Sequence, residues 1–539
     1  MRSHRSQLSK AGPWVVLLAV IGSAATADDS TAVHDPAFQL AGTIDEQIAA
    51  RWKLETVTPA PRSDDAEFMR RTYLNIIGRI PSVSEARDFL SDSAPDKRAR
   101  LLDELLESPA YIAHFATVWR TLLVPEARGN LQARAFVPSF ENWLHERLSD
   151  NASFDQITRE LLTGSLQPPS VGSELDNLLP SPLAFYQAKE FKPENLASGA
   201  SRLLLGVRLE CAQCHDHPFA KWRREEFWQF AAFFAGVRRT DARRDNQPQP
   251  VDQNAEFLNE LAIPDADQTV QASFLDGSAP DWDTGRTTRE VFADWLTGAD
   301  NPYFSRAAVN RIWAHFMVTG LVDPVDDFDE SNPPSHPELL DELAAQFAAQ
   351  GYDVKLLIRA IVLSQTYQLS SRQTDESQSD RRLFARMTVK GLTPEQLFDS
   401  LAQATGYYEG VTSRNQFFVR NDTPRARFRE LFGGQSDDLA EAQRSILQAL
   451  ALMNGEFVTT ATSLENSEAL AAIIDAPFYN TSARIEALYL AALSRVPTSN
   501  ELDRLVDYVD SGRAQADNRQ ALSDVLWALL NSSEFLLNH

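Results

Sequence analysis

The chain has 539 residues, of which 43% are hydrophobic and 23% charged, and its net charge is −24. That length supports two or three domains with real apolar cores. The acidic balance argues against nucleic acid as a partner, because phosphate binding needs clustered Lys and Arg, and two cysteines are too few for a disulfide scaffold.

The first segment reads as a secretory signal peptide over residues 1–27. Arg2, Arg5 and Lys10 precede the apolar run Trp14–Ile21, and "ATA" at Ala25–Ala27 has the small residues of a cleavage site. The run is too short to span a bilayer comfortably, and an uncleaved anchor is the alternative. The expected product is exported, periplasmic or extracellular, with no membrane span after cleavage. Without those three basic residues its net charge is −27.

The remainder reads as mostly α. "DKRARLLDELLESPAYIAHFATVW" puts Leu101, Leu102, Leu105 and Leu106 on one helical face, followed by Tyr111 and Phe115. Between about residues 241 and 285 the composition turns polar, with Pro and Gly punctuation. That stretch is a linker or small insert, with at most one short β pair around "DQTVQASFLDG". It separates an N-terminal helical domain (28–240) from a C-terminal helical domain (286–539). In the latter, "NRIWAHFMVTG" is expected to end as a helix capped at Gly320. "HPELLDELAAQFAAQG" is expected to start at Pro337 and stop at Gly351. "DVKLLIRAIVLSQTY" and "LSDVLWALLNSSEFLL" repeat the amphipathic pattern.

The two ends of the chain echo each other. "YLNIIGRIPSVSE" (73–85) and "YLAALSRVPTSNE" (489–501) share Tyr-Leu, Arg, Pro and Glu at identical spacing. Ser82 with Glu85, and Thr498 with Glu501, have capping-box spacing. "LLESPAY" (105–111) and "LLNSSEF" (529–535) extend the echo.

"LECAQCHDHPFAKW" (209–222) holds both cysteines of the chain, Cys211 and Cys214, with His215 directly behind and His217 two residues on. C-x-x-C-H is the attachment signature of c-type haem. Residues three apart share one side of a helical turn, so two thiols can reach two vinyl groups, and the adjacent histidine can be the axial ligand. "ENLASGASRLLLGVRLE" is expected to be a helix leading into Cys211. Three other readings stay open: a zinc or other metal knot of Cys211, Cys214 and His217 with His215 or a carboxylate; a redox dithiol, which lacks its βαβ context; and a local disulfide closing a tiny loop. Thus Cys211, Cys214, His215 and His217 are the candidate cofactor-binding residues and His215 the candidate metal ligand. The sequence does not dictate a sixth ligand. After the signal segment the methionines are Met69, Met317, Met387 and Met453; Met453, at a helix end before Gly455, reads first as a core residue, and His315 and His336 as packed and pre-helix residues.

Downstream, "FAKWRREEFWQFAAFF" is dense in aromatics. Trp222, Phe230, Phe233, Phe234 and Val237 can share a helical face, as core or as an apolar wall beside a haem. "VDPVDDFDESNPPSHP" concentrates Asp323, Asp326, Asp327 and Asp329 near Asn332 and His336. It has oxygen ligands for a hard cation but lacks the EF-hand pattern, so a solvated acidic loop is the stronger reading. No phosphate loop, G-x-S-x-G or H-E-x-x-H motif is present.

"LGVRLECAQCHDHPFAKW", "EEFWQFAAFF" and the long "NPYFSRAAVNRIWAHFMVTGLVDPVDDFDESNPPSHPELLDELA" resemble the exported cytochrome-like proteins of planctomycetes and related bacteria. Those proteins pair two domains of unknown function. The resemblance implies a cytochrome c-like N-terminal domain, with one covalent haem c on Cys211, Cys214 and His215, and it adds His217 and Pro218 to the motif. It implies electron transfer to an unidentified redox partner protein. It also implies a link to polysaccharide breakdown beside secreted sulfatases or other carbohydrate-active proteins. This chain has a single C-x-x-C-H, where many relatives carry a further cytochrome domain.

Overall fold

The fold is seen in a computed structural model that describes residues 35–128, 130–166, 179–237, 255–282, 285–408, 423–432, 455–511 and 517–539. The expected signal peptide and Met453 lie outside the described residues. Helices dominate, as the periodicity implies.

The first helices are α1 (Pro36–Glu55), α2 (Asp65–Ile77), α3 (Val83–Ser91), α4 (Lys97–Leu106), α5 (Pro109–Leu123), α6 (Leu131–Ser149), α7 (Phe154–Thr163), α8 (Leu183–Ala188) and α9 (Pro193–Ala200). After α10 (Arg224–Ala231) comes an antiparallel pair, β1 (Glu260–Ala262) with β2 (Thr269–Gln271), where the short pair is expected. The chain continues through α11 (Thr288–Leu296), α12 (Phe304–Met317), α13 (Pro337–Ala349), α14 (Val354–Leu363), β3 (Lys390–Gly391), α15 (Pro394–Thr405) and α16 (Pro424–Phe432). It closes with α17 (Glu456–Ala461), α18 (Glu468–Asp475), α19 (Thr481–Leu493), α20 (Ser499–Asp510), α21 (Asn518–Leu530), α22 (Ser533–Leu536) and β4 (Leu537–Asn538).

Local chemistry sets these boundaries. Asp35, Asp64, Ser82, Ser108, Thr287, Asp353, Thr393, Asn480, Thr498 and Ser532 each accept a backbone N–H of the helix they precede. Each such cap is worth about 1 kcal/mol. The stretch 96–119 is broken by one of them, Ser108 ahead of Pro109, so it forms two helices. Helix α12 ends at Met317, earlier than expected, with Val318 in the positive-φ position (φ 71°). Gly320 serves a different need: a Cβ there would lie 2.2 Å from the Val322 carbonyl oxygen. A second short strand pair, β3 with β4, was not legible, because two residues per strand carry no alternation.

Two apolar cores result. The first gathers side chains from α1 to α14, among them Ile44, Phe140, Leu196, Phe230, Trp313 and Ile361. Its packing runs across the 241–285 segment. The second gathers Leu397, Leu470, Leu488, Leu526 and Phe535, and receives Leu74 and Ile80 from the N-terminal part.

The sequence echo is a structural echo. Both units form a helix, a left-handed cap (Gly78, Ser494) and a second helix entered through a capping box. Arg79 bonds both Glu85 oxygens at 3.0 Å and lies over Tyr73, and Arg495 bonds both Glu501 oxygens at 2.9 Å and lies over Tyr489. The units also pack together: buried Arg70 of α2 donates to the carbonyls of Ala492 (3.0 Å) and Phe535 (2.8 Å).

Candidate functional site

The helix expected to lead into Cys211 stops short. Helix α9 passes into a π-helical turn, Ser201–Leu205, which ends at Gly206 with φ 70°. Four residues later a separate 3₁₀ turn, Glu210–Gln213, carries the motif. Leu209 and Ala212 are fully buried and anchor this turn, and the Trp228 indole N–H donates to the Gln213 carbonyl at 3.0 Å. With its other side anchored, the turn presents Cys211 and Cys214 to solvent as free thiols. Cys211 lies within this turn and Cys214 directly follows it, so no α-helix carries the pair.

The two histidines are fixed in opposite tautomers. His215 is exposed, and its Nδ1 donates to the Asp216 carbonyl at 2.7 Å, leaving the Nε2 lone pair available. His217 accepts at Nδ1 from the N–H groups of Phe219 (3.2 Å) and Ala220 (2.8 Å), so its Nε2 carries the proton. The His217 N–H donates to the Trp222 carbonyl at 2.8 Å. His217 therefore folds the loop that follows the motif, and only His215 offers a ligating nitrogen. Asp216 completes the loop by accepting the Arg224 N–H (2.9 Å) at the start of α10.

The aromatic stretch is core. Trp222, Phe230, Phe233, Phe234 and Val237 are all buried, with Phe233 stacked on Phe274 and Phe292. Trp222 lies in the loop ahead of α10. Phe219, at the loop tip, is 88% exposed.

The acidic loop is where sequence reasoning missed most. Asp326 is buried, held by Arg202 and by Arg208, whose Nε and Nη2 lie 3.0 and 2.6 Å from Oδ1. Burial pushes the Asp326 carboxyl up, and the two guanidiniums more than offset that, holding it below the ordinary range. Two residues on, the Phe328 N–H donates to the Gly206 carbonyl at 2.9 Å. Asp329 binds the Ser331 hydroxyl and N–H, which hold its carboxyl low, and His217 adds to that effect. These acids thus diverge into separate contacts. Among the described residues no three His, Cys, Asp or Glu side chains converge on a metal position, so neither the acidic loop nor Cys211, Cys214 and His217 form a ready-made cage.

Between the motif loop and the acidic loop lies an open cleft of about 520 Å³. One wall is Phe219–Trp222, the opposite wall runs from Phe328 to Pro334, and the floor includes Tyr303, just ahead of α12, and Arg306 within it. A larger cleft of about 890 Å³ lies at the seam of the two cores, lined by pairs such as Arg425 with Asp399, and includes no motif residue. Met69, Met317 and Met387 are packed in the first core. His315 is half-buried, with its Nε2 3.1 Å from the Asn75 carbonyl oxygen, and His336 is buried against Phe384. No helix among the described residues is long and apolar enough to cross a membrane.

Residues 43–239 match the PSCyt2 family model, described as a protein of unknown function (DUF1549), and residues 288–509 match PSD1, also of unknown function (DUF1553). The chain carries a PSCyt2 domain followed by a PSD1 domain. No curated protein and no solved structure matches it. The cysteine turn, Gly206 and both clamp arginines belong to the PSCyt2 domain, while Asp326 and Phe328 belong to the PSD1 domain. The clamp and the 520 Å³ cleft are therefore contacts between the two domains.

Proposed function

We propose that the chain is an exported c-type haem protein whose task is electron transfer, with Cys211 and Cys214 as the thioether residues and His215 as the axial ligand. The carrying observation is the turn itself: two free, exposed thiols three residues apart, followed by a histidine whose Nδ1 is spent on a carbonyl and whose Nε2 is open. A second-atom hydrogen bond of this kind fixes the tautomer and orientation of metal-bound imidazoles. The donor set thus fits the group. Haem bound there supplies a one-electron iron centre. The chain's own residues present the ligands, hold the His215 ring and, through His217, fix the loop beside it. His217, with its Nδ1 occupied by two N–H donors, is a positioning residue. The exported setting fits, since such haem is attached outside the cytoplasm, and the partner in this reading is a redox protein.

The test is an absorption spectrum of the protein made in a host that matures c-type haem, with and without dithionite, together with a haem-stained denaturing gel. A sharp reduced α-band and a stained band at the protein's mass are expected, and both disappear in Cys211→Ser with Cys214→Ser. A colourless protein from a host that matures a control cytochrome overturns the reading.

A further inference from the structure

We propose that the PSD1 domain holds the cysteine turn in place, with Asp326 as a positioning residue that acts on Cys211 through Arg202 and Arg208. That assigns a task to the C-terminal domain. Its redox consequence rests on the haem reading above, and its mechanical part does not.

The two ends of the motif are held by different domains. The downstream end is tied to its own domain: Trp228 of α10 donates to the Gln213 carbonyl, and the Arg224 N–H at the head of α10 binds Asp216. The upstream end is the segment 202–210, and contacts from the PSD1 domain run along it. Arg311 of α12 donates to the Arg202 carbonyl at 3.2 Å. The Asp326 carboxylate takes the guanidiniums of both Arg202 and Arg208. The Phe328 N–H donates to the Gly206 carbonyl at 2.9 Å.

These contacts reach Cys211 by two routes. Arg208 stands just before Leu209, which is fully buried and opens the turn that carries the thiols. Arg202 lies 4.0 Å from the carboxylate of Glu210, the residue directly before Cys211. The segment depends on such contacts, because residues 206–209 belong to no helix or strand and Gly206 has left the helical path at φ 70°. A buried carboxylate shared by two guanidiniums is a fixed point, since displacing either arginine costs charge-assisted hydrogen bonds. The acidic loop and the cysteine turn are thus one mechanical unit that crosses the domain boundary.

The test uses the full chain and two single variants. Asp326→Asn removes the shared charge. Arg208→Lys keeps its own charge but loses the two-nitrogen fork, and it is the milder change should the first weaken folding. Circular dichroism checks that both keep their helices. Hydrogen exchange at residues 209–214 should be roughly tenfold faster in each variant than in wild type, with exchange at residues 227–231 of α10 unchanged. In the haem-loaded chain, Asp326→Asn with Arg208→Gln leaves the net charge of the clamp as it was. That double variant should keep wild-type haem stain per mole and show a shifted reduction potential, because the axial ligand is held differently. Faster exchange confined to residues 326–334, with residues 209–214 at the wild-type rate, overturns the positioning role. A wild-type potential in the charge-balanced variant overturns its redox consequence. A wild-type chain with no haem overturns the haem reading alone, and exchange at residues 209–214 still decides the positioning.

Discussion

The Phe328 ring lies over Gly206 so closely that a Cβ on residue 206 would come within 2.6 Å of it, and Gly206 itself sits at φ 70°. Position 206 is therefore closed to side chains twice over, by space and by backbone conformation. Gly206→Ala should cost about 1–3 kcal/mol from strain and overpacking. The same change should loosen the residue 328 loop. Urea unfolding checks the first expectation, and faster proteolysis or hydrogen exchange at residues 326–334 checks the second. An unchanged midpoint would show that Phe328 moves aside freely.

Asp326 holds the same junction by charge. Its carboxylate is buried, while Arg202 and Arg208 are each more than a third exposed. Asp326→Asn keeps the shape and removes the charge. The arginines can be hydrated in the variant, so the cost should be about 1–3 kcal/mol, below the full penalty for breaking a buried pair. The wild-type contribution follows from a folded pKa below the unfolded one: it is present above the unfolded value and lost as pH falls through the folded one. The difference between wild type and Asp326→Asn in urea midpoint should therefore shrink below pH 4. A difference that is constant from pH 7 to pH 3 would rule out the charge as its source.

What the sequence made legible was local. The capping boxes at Ser82 and Thr498, the helix start at Pro337, and the echo of Arg79 in Arg495 all depend on neighbours within a few residues, and all are in the structure. The C-x-x-C-H motif was legible for the same reason. The clamp was not: Asp326 lies 118 residues from Arg208, and in sequence it is one of several acids in a polar loop. The turn that carries the cysteines was misread as a helix because "RLLLGVRLE" keeps an apolar rhythm through Gly206, and only the tertiary contact with Phe328 shows why the helix stops there. The contrast of His215 with His217 also needed coordinates, since a tautomer is set by hydrogen-bond partners.

Three histidines should make the fold acid-sensitive. Burial lowers His114 to about 3 and His315 and His336 to about 4, with neighbouring cations adding to the effect at each. All three are neutral in the folded chain at pH values where the unfolded chain begins to protonate them, near 6.5. Their contribution is complete above that value and is lost as pH falls toward 4. In the middle of that window three unmatched protons give a slope of up to about 4 kcal/mol per pH unit. Urea midpoints between pH 7.5 and 4.5 should fall accordingly, and His315→Gln should remove about one proton of the dependence. The same slope in that variant would exclude His315 as a contributor.

Lys390 acts on the alkaline side. It is buried at the junction of the cores, where its ammonium donates to the His315 carbonyl at 2.7 Å. Burial, reinforced by the nearby Arg71 charge, lowers its pKa from 10.5 to about 8. The fold thus disfavours the proton that the unfolded chain keeps until pH 10.5, so its charge destabilises the folded state below about pH 8. That cost is relieved as pH rises from 8 toward 10.5. The shift corresponds to about 3 kcal/mol. Stability should therefore climb between pH 8 and 10 in the wild type by more than in Lys390→Met, which fills the same space without a charge. Equal slopes for the two proteins across that interval would mean that the amine reaches water or a counter-charge, and the junction would have to open around it.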